Sequence, residues 1–186
     1  TTEIYTLSLH DAFRSLFPLI GLFIIIDNWG PIIYSQVRLG KNGKKFNIYK
    51  FRTMFVDAER NGNIKPAEEN DGRITPMGKL LRKSHLDEIP QFINVLKGEM
   101  SMVGPRSERP MIVENYQKQI PFYRGRLIVK PGLTGWAQVN YGYASTIEEN
   151  AMKLEYDLYY IKHRDLIMDL SIMLLTISSV IGFRGR

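Results

Sequence analysis

The segment from Leu166 to Ile181 constrains this chain most. It is apolar almost throughout, with Asp169 as its one charge, and its pattern predicts a helix. A helix of this length falls short of the roughly 18 or more apolar residues that a membrane span needs. Two seats are open to it. It is either a core helix or a helix lying in a membrane interface, with Phe183, Arg184 and Arg186 at its end reaching toward headgroups. A second apolar run, from Leu16 to Ile26, contains Pro18 and ends at Asp27. It reads as a re-entrant or interfacial segment, or as a buried strand or helix. It lacks a small-residue cleavage site, which argues against a signal peptide.

Between these runs the chain is polar and basic. Its 186 residues suit one domain with a sizeable core. A net charge of +6 favours an anionic partner. Nucleic acid, an anionic membrane face and a nucleotide substrate all qualify. The chain has no cysteine, which excludes disulfides and thiolate metal sites.

Residues Thr6-Leu7-Ser8-Leu9-His10-Asp11-Ala12 resemble the conceptual translation of a sequencing adapter. Residues 1–15 are therefore expected to be a non-native leader. Further on, Ile32-Ile33-Tyr34 and Phe46-Asn47-Ile48-Tyr49 flank the turn signal Gly40-Lys41-Asn42-Gly43-Lys44, which predicts a β-hairpin. Lys50 to Met54 should continue its second strand. A polar surface loop is expected from Asp57 to Asp71, then a short helix from Ile74 to Arg82. Met100 to Pro110 reads as an extended loop, and Met111 to Gln119 as a helix ended by Pro121. Glycines in Lys130-Pro131-Gly132-Leu133-Thr134-Gly135-Trp136 permit close backbone approach or a sharp bend. Glu148 to His163 reads as a helix preceding the apolar one.

The stretch that carries chemistry is Ser84-His85-Leu86-Asp87-Glu88-Ile89-Pro90-Gln91. Pro90 has no N–H and fits a first helical turn, so a helix should begin between Leu86 and Ile89 and stop at Lys97-Gly98. Asp87 and Glu88 then sit at its start, among Lys50, Arg52, Arg82 and Arg106. Guanidinium groups suit bidentate phosphate contacts, and these bases together can form a phosphate cradle. A hard cation held by Asp87 or Glu88 with a ligand phosphate points to magnesium. Acids in a first turn also commonly do no more than complement the helix dipole, and surface bases are commonly just solvated, so the pattern alone leaves both readings open. His10, His85 and His163 lack zinc-site spacing. Neither a Walker loop nor a dinucleotide fingerprint is present.

Four ordered blocks make the chain recognisable. They are Asn47 to Met54 (NIYKFRTM), Gly78 to Gln91 (GKLLRKSHLDEIPQ), Asn94 to Arg106 (NVLKGEMSMVGPR) and Lys130 to Asn140 (KPGLTGWAQVN). Together they resemble the bacterial sugar transferases, the monotopic polyprenyl-phosphate phosphoglycosyl transferases. Tyr156 to Lys162 is most similar to the branch that builds exopolysaccharide and O-antigen.

The resemblance implies transfer of a sugar-1-phosphate from a UDP-sugar to undecaprenyl phosphate, with release of UMP. It implies a bacterial inner-membrane protein on the cytoplasmic face. Asp87 matches the family's nucleophile and Glu88 its second acid. Both fall where the family holds magnesium. Arg82, Pro105 and Arg106 fall on phosphate-binding or substrate-binding positions, and Lys50 and Arg52 on the basic strand motif. The implied fold is α/β (α+β): mostly helical, with a small β-hairpin, amphipathic membrane-interface helices and an incomplete N-terminal re-entrant helix. Domain expectations follow as a leader over 1–15, a partial re-entrant segment over 16–29 and a catalytic domain over 30–186. The family's membrane break should fall near Arg14-Ser15, and Tyr141-Gly142-Tyr143 stands where small members carry Gly-Arg-Asn. Partners are then a UDP-sugar, a polyprenyl phosphate and membrane lipid, with no nucleic acid. A homodimer is compatible with the family. The alternative is a non-catalytic basic membrane-surface module. An RNA-binding protein is disfavoured, because no RNA-binding sheet or loop motif is present.

Overall fold

The computed structural model describes residues 16–58, 71–142, 144 and 146–182. The expected leader over 1–15, the Arg14-Ser15 break, most of the polar loop over 57–71, and Phe183, Arg184 and Arg186 lie outside the described residues.

Helix α1 (residues 16–27) has two faces. Ile20 and Ile24, four apart, are buried together, while Leu19, Leu22, Phe23 and Ile26 stay exposed. The buried pair packs on Phe51 and Leu81. Strands β1 (Ile33–Leu39) and β2 (Lys45–Phe51) form the expected hairpin, longer than its sequence signal. They pair antiparallel from Ile33↔Phe51 to Leu39↔Lys45. The turn needs positive φ at Asn42 (57°) and Gly43 (74°), residue types that tolerate it. Strand β2 ends at Phe51 rather than continuing to Met54. Met54 instead makes an isolated bridge to Ile74.

Helix α2 (Pro76–Lys83) starts where Thr75 accepts a hydrogen bond from the Gly78 N–H, with Pro76 in the first turn. Asp27, which ends the apolar run of α1, accepts from the Met77 N–H at 3.2 Å. Gly78 is required for packing. A Cβ there would sit 2.0 Å from the Thr53 carbonyl oxygen. That contact brings the last turn of α2, with Arg82, beside the end of β2.

The next element differs from expectation. Leu86–Gln91 is a 3₁₀ turn, and the α-helix proper, α3, covers only Phe92–Leu96. His85, at φ 57°, reverses the chain out of α2 and sends it into the tighter turn. Asp87 and Glu88 therefore lie on a 3₁₀ turn, not at the N-terminus of an α-helix. The predicted stop holds, with Gly98 at φ 75°.

Met100 to Pro110 is not all loop. Ser101–Val103 is a strand, β3, which pairs in parallel with β4 (Gly132–Thr134). Two three-residue strands are too short to show alternation in a sequence. Glycine decides this pairing. A Cβ on Gly132 would lie 2.1 Å from the Gly104 nitrogen. Gly132→Ala is expected to cost roughly 1–3 kcal/mol through overpacking, read as a fall in midpoint in chemical denaturation.

Helices α4 (Pro110–Tyr116), α5 (Trp136–Asn140), α6 (Ile147–His163) and α7 (Leu166–Ile181) complete the chain. Thr146 and Glu149 form a capping box at the start of α6. Val113 of α4 and Leu154 of α6 share a core cluster with Leu39 and Tyr123. Helix α7 is not a core helix. Among its described side chains only Ile172 is fully buried, against Val103 and Tyr160, while Leu166 (73%), Ile167 (76%) and Leu174 (68%) face outward. Among the described residues no helix is long and apolar enough to cross a membrane. The fold is thus mixed α/β and mostly helical, with the expected hairpin and an additional parallel pair.

Candidate active site

The 3₁₀ turn packs against β2, and this brings three segments together around two acids. Glu88 stands at the centre. Its Oε1 accepts from Lys50 Nζ at 2.5 Å and from Arg106 Nη2 at 2.8 Å. Burial alone would raise the Glu88 carboxyl. The Arg106 and Lys50 charges override that and hold it well below the usual carboxylate range. Glu88, in turn, raises the Arg106 guanidinium above its ordinary value. Arg106 still keeps 39% of its side chain exposed, so it meets Glu88 on one side and solvent on another.

Asp87 is different. It is only 7% exposed, and its nearest ion-pair contact is Lys50 at 4.0 Å. Burial pushes its carboxyl up from the ordinary 3.8, and Lys50, Arg82 and Arg106 offset this only in part. The pair is thus split. Glu88 is a fixed anion that organises cations, and Asp87 is a desolvated carboxylate with unspent basicity. Adjacent titrating groups pushed in opposite directions are a mark of functional sites.

Arg82 is aimed by Thr53, whose hydroxyl accepts from Arg82 Nε at 2.8 Å. Burial lowers its guanidinium, and the Asp87 charge opposes that shift, which ties Arg82 electrostatically to the acid. Lys50, Arg82, Asp87, Glu88 and Arg106 are thus brought together. Arg52 is not. It follows Phe51, the last residue of β2, and its guanidinium turns to the end of α1, donating to the Asn28 side chain at 2.9 Å and to the Asn28 carbonyl. It ties the end of α1 to the sheet. Pro105 contributes its carbonyl, which accepts from the Gly132 N–H at 2.9 Å and so fixes the main chain beside Arg106.

Sequence reasoning missed what holds Arg106. Arg126, 4% exposed, donates from Nη2 to the Arg106 carbonyl at 3.1 Å. The same nitrogen lies 2.7 Å from Asp157 Oδ2 on α6, itself 2% exposed. Nη1 donates to the Tyr123 hydroxyl at 2.9 Å. Arg38 similarly donates to the Ser107 carbonyl at 3.0 Å. The buried Arg126 and the half-buried Arg38 therefore hold the successive carbonyls of Arg106 and Ser107.

This arrangement, two carboxylates set among fixed cations, is suited to an anionic phosphate ester. The profile of the bacterial sugar transferases matches residues 4–183. The chain belongs to the bacterial sugar transferase family. It is 44% identical over 167 residues to the UDP-N-acetylgalactosamine-undecaprenyl-phosphate N-acetylgalactosaminephosphotransferase of Aeromonas hydrophila, covering 89% of this chain and 39% of that protein. It is 43% identical over 176 residues to the UDP-glucose:undecaprenyl-phosphate glucose-1-phosphate transferase of Xanthomonas campestris pv. campestris, covering 92% and 36%. The uncharacterized sugar transferase EpsL of Bacillus subtilis is 41% identical over 155 residues, covering 83% and 72%. This family member therefore spans well under half the length of the first two relatives.

Proposed function

We propose that this sugar transferase moves a sugar-1-phosphate from a UDP-hexose to undecaprenyl phosphate, with Asp87 as nucleophile. The observation that supports this reading is the split pair: Asp87 buried and only weakly paired, beside a Glu88 fully engaged by Lys50 and Arg106. Relatives named for N-acetylgalactosamine and for glucose support a UDP-hexose as the donor.

In the first step an Asp87 carboxylate oxygen bonds to the β-phosphorus. The bond from that phosphorus to the bridging oxygen breaks, and UMP leaves with the electron pair. In the second step a phosphate oxygen of the lipid attacks the same phosphorus and expels the Asp87 carboxylate. The product is a polyprenyl diphosphate sugar. Attack by one anion on another needs fixed cations and a fixed line of approach. Arg82 and the exposed side of Arg106 supply charge to the diphosphate. Glu88 keeps Lys50 and Arg106 in place, and the 3₁₀ turn fixes the direction of Asp87.

The described residues contain no group of three or more acids and histidines able to hold a metal alone. Magnesium needs fewer, because it binds through one or two carboxylates with substrate phosphates and water. Glu88 Oε1 is already taken by two cations, and Asp87 is the freer donor. The pair therefore fits magnesium delivered with the diphosphate. When bound, it would neutralise phosphate charge.

The seat is the second part of the proposal. The outward apolar residues of α1 and α7 would lie in the interface at the cytoplasmic face of the inner membrane, where lipid-linked exopolysaccharide, O-antigen or other glycoconjugate synthesis begins. The test is UMP release in detergent from UDP-glucose, UDP-galactose and their N-acetylated forms, with and without undecaprenyl phosphate. Sustained release that needs the lipid supports the reading; no release from any donor contradicts it. Because burial raises Asp87, the acid limb of this rate is expected above the ordinary 3.8, since protonation removes the nucleophile.

A further inference from the structure

A second cleft, of about 430 Å³, opens between the β1–β2 turn, β3 and the corner joining α6 to α7. None of Lys50, Arg82, Asp87, Glu88 or Arg106 lines it. Lys41, at the turn, is beyond Lys45, which itself lies about 17 Å along β2 from Lys50 at the usual strand rise. The cleft is therefore separate from the acid pair.

Its lining is charged in an uneven way. Lys41, Lys130 and Arg164 border it, all exposed. Among the described residues none of the three has a carboxylate within ion-pair distance. Two acids also border it, each engaged in a hydrogen bond and neither within ion-pair distance of those cations. Asp165 caps α7 by accepting from the Met168 N–H at 2.7 Å, and Asp169 accepts from the Tyr160 hydroxyl at 2.8 Å. Three cations against two carboxylates leave the lining with an excess of positive charge, and each cation, lacking an ion-pair partner, is open to an outside anion. Past Asp165 the first turns of α7 are apolar and outward, with Leu166 and Ile167 exposed at 73% and 76% and Leu170 following. A polar cationic hollow that runs into an outward apolar track fits a ligand with an anionic head and an apolar tail.

We propose that this cleft binds the phosphate headgroup of an anionic membrane lipid, with the lipid tail along α7. The assignment rests on the reading that α7 lies in the membrane interface. It gives the protein a second contact with the bilayer, electrostatic and site-specific, next to the apolar one.

The test is flotation of the detergent-free protein with two vesicles, pure phosphatidylcholine and phosphatidylcholine with phosphatidylglycerol. The parent is compared with the triple variant Lys41→Gln, Lys130→Gln, Arg164→Gln. A charge-matched control, Lys79→Gln, Lys83→Gln, Lys118→Gln, changes three exposed lysines away from the cleft. The parent is expected to bind the anionic vesicle about tenfold or more tightly than the neutral one. The cleft variant should lose most of that gain yet keep its binding to the neutral vesicle, and the control should retain the gain. Equal loss in both variants would assign the effect to net charge and overturn the site, as would full retention by the cleft variant. Abolition of the gain by millimolar inorganic phosphate at constant ionic strength would make it a free-phosphate site and overturn the lipid assignment. Failure of the parent to bind either vesicle would contradict the interface seat itself, and the lipid assignment with it.

Discussion

Asp87→Asn is expected to abolish UMP release, with a loss on the order of 10⁴-fold or more, while raising the stability of the protein. The first half follows from the role. An amide has no anionic oxygen to attack phosphorus, and Glu88 cannot substitute, because two cations hold it and depress its basicity. The second half follows from the sign of the shift. Burial raises the Asp87 carboxyl in the folded protein, so the folded state binds that proton more tightly than the unfolded chain. At any pH above the folded value the carboxylate costs stability. The isosteric amide removes that cost. In thermal melts with EDTA, the variant should therefore melt above the parent at neutral pH, and the gap should narrow as the pH falls through the folded value and close below 3.8, where the carboxyl is protonated in both states. A variant that is inactive because it is misfolded would melt lower instead. The two readouts together separate a chemical role from a structural one.

The second large effect is at the buried pair behind Arg106. Asp157→Ala is expected to cost about 3–5 kcal/mol, because it leaves the Arg126 guanidinium buried without its closest counter-charge. Burial opposes that guanidinium's charge, but Asp157, Tyr123 and Glu108 hold it above its ordinary range. Glu108 cannot take over, since it lies 3.9 Å from Arg126 and is shared with Arg38. The double variant Arg126→Met, Asp157→Leu should recover much of the stability, as buried ion pairs replaced by apolar groups of similar volume commonly do. It should not recover transfer activity, because the hydrogen bond to the Arg106 carbonyl is gone. Denaturant unfolding and UMP release on the same three proteins check both statements. A single Asp157→Ala variant that unfolds at the parent's midpoint would contradict them.

The legible parts of this protein are those with local signals. Thr75-Pro76 marks the start of α2, the Gly40-to-Lys44 turn marks the hairpin, and a mostly apolar run marks α7 from Leu166 to Ile181. Asp87 and Glu88 were visible because two acids stand next to a proline within a basic neighbourhood. Lys50, Arg82 and Arg106 converge on them as the motif blocks suggested. The rest depended on long-range geometry. Arg52 shares a motif with Lys50, and strand alternation alone would put the two on one face, but β2 ends at Phe51 and beyond that end Arg52 finds Asn28. The 3₁₀ turn depends on His85 adopting positive φ, which histidine does more readily than most residues but which no adjacent turn signal announces. Arg126 and Asp157 meet across separate elements, with no spacing rule to join them. Strands β3 and β4 are each three residues long and pair in parallel across α4 and a 3₁₀ segment, Tyr123–Ile128, which leaves no local trace.

The central claim, that Asp87 becomes covalently phosphorylated by the sugar nucleotide, is tested most directly by intact-mass spectrometry. The protein is mixed with a UDP-hexose and magnesium in detergent, quenched in acid, and digested to locate any adduct. The account predicts a mass increase equal to one sugar phosphate, carried on the peptide containing Asp87, absent from Asp87→Asn and discharged on addition of undecaprenyl phosphate. Turnover by Asp87→Asn at the parent's rate, or an adduct that forms on another residue and discharges to lipid, would contradict it.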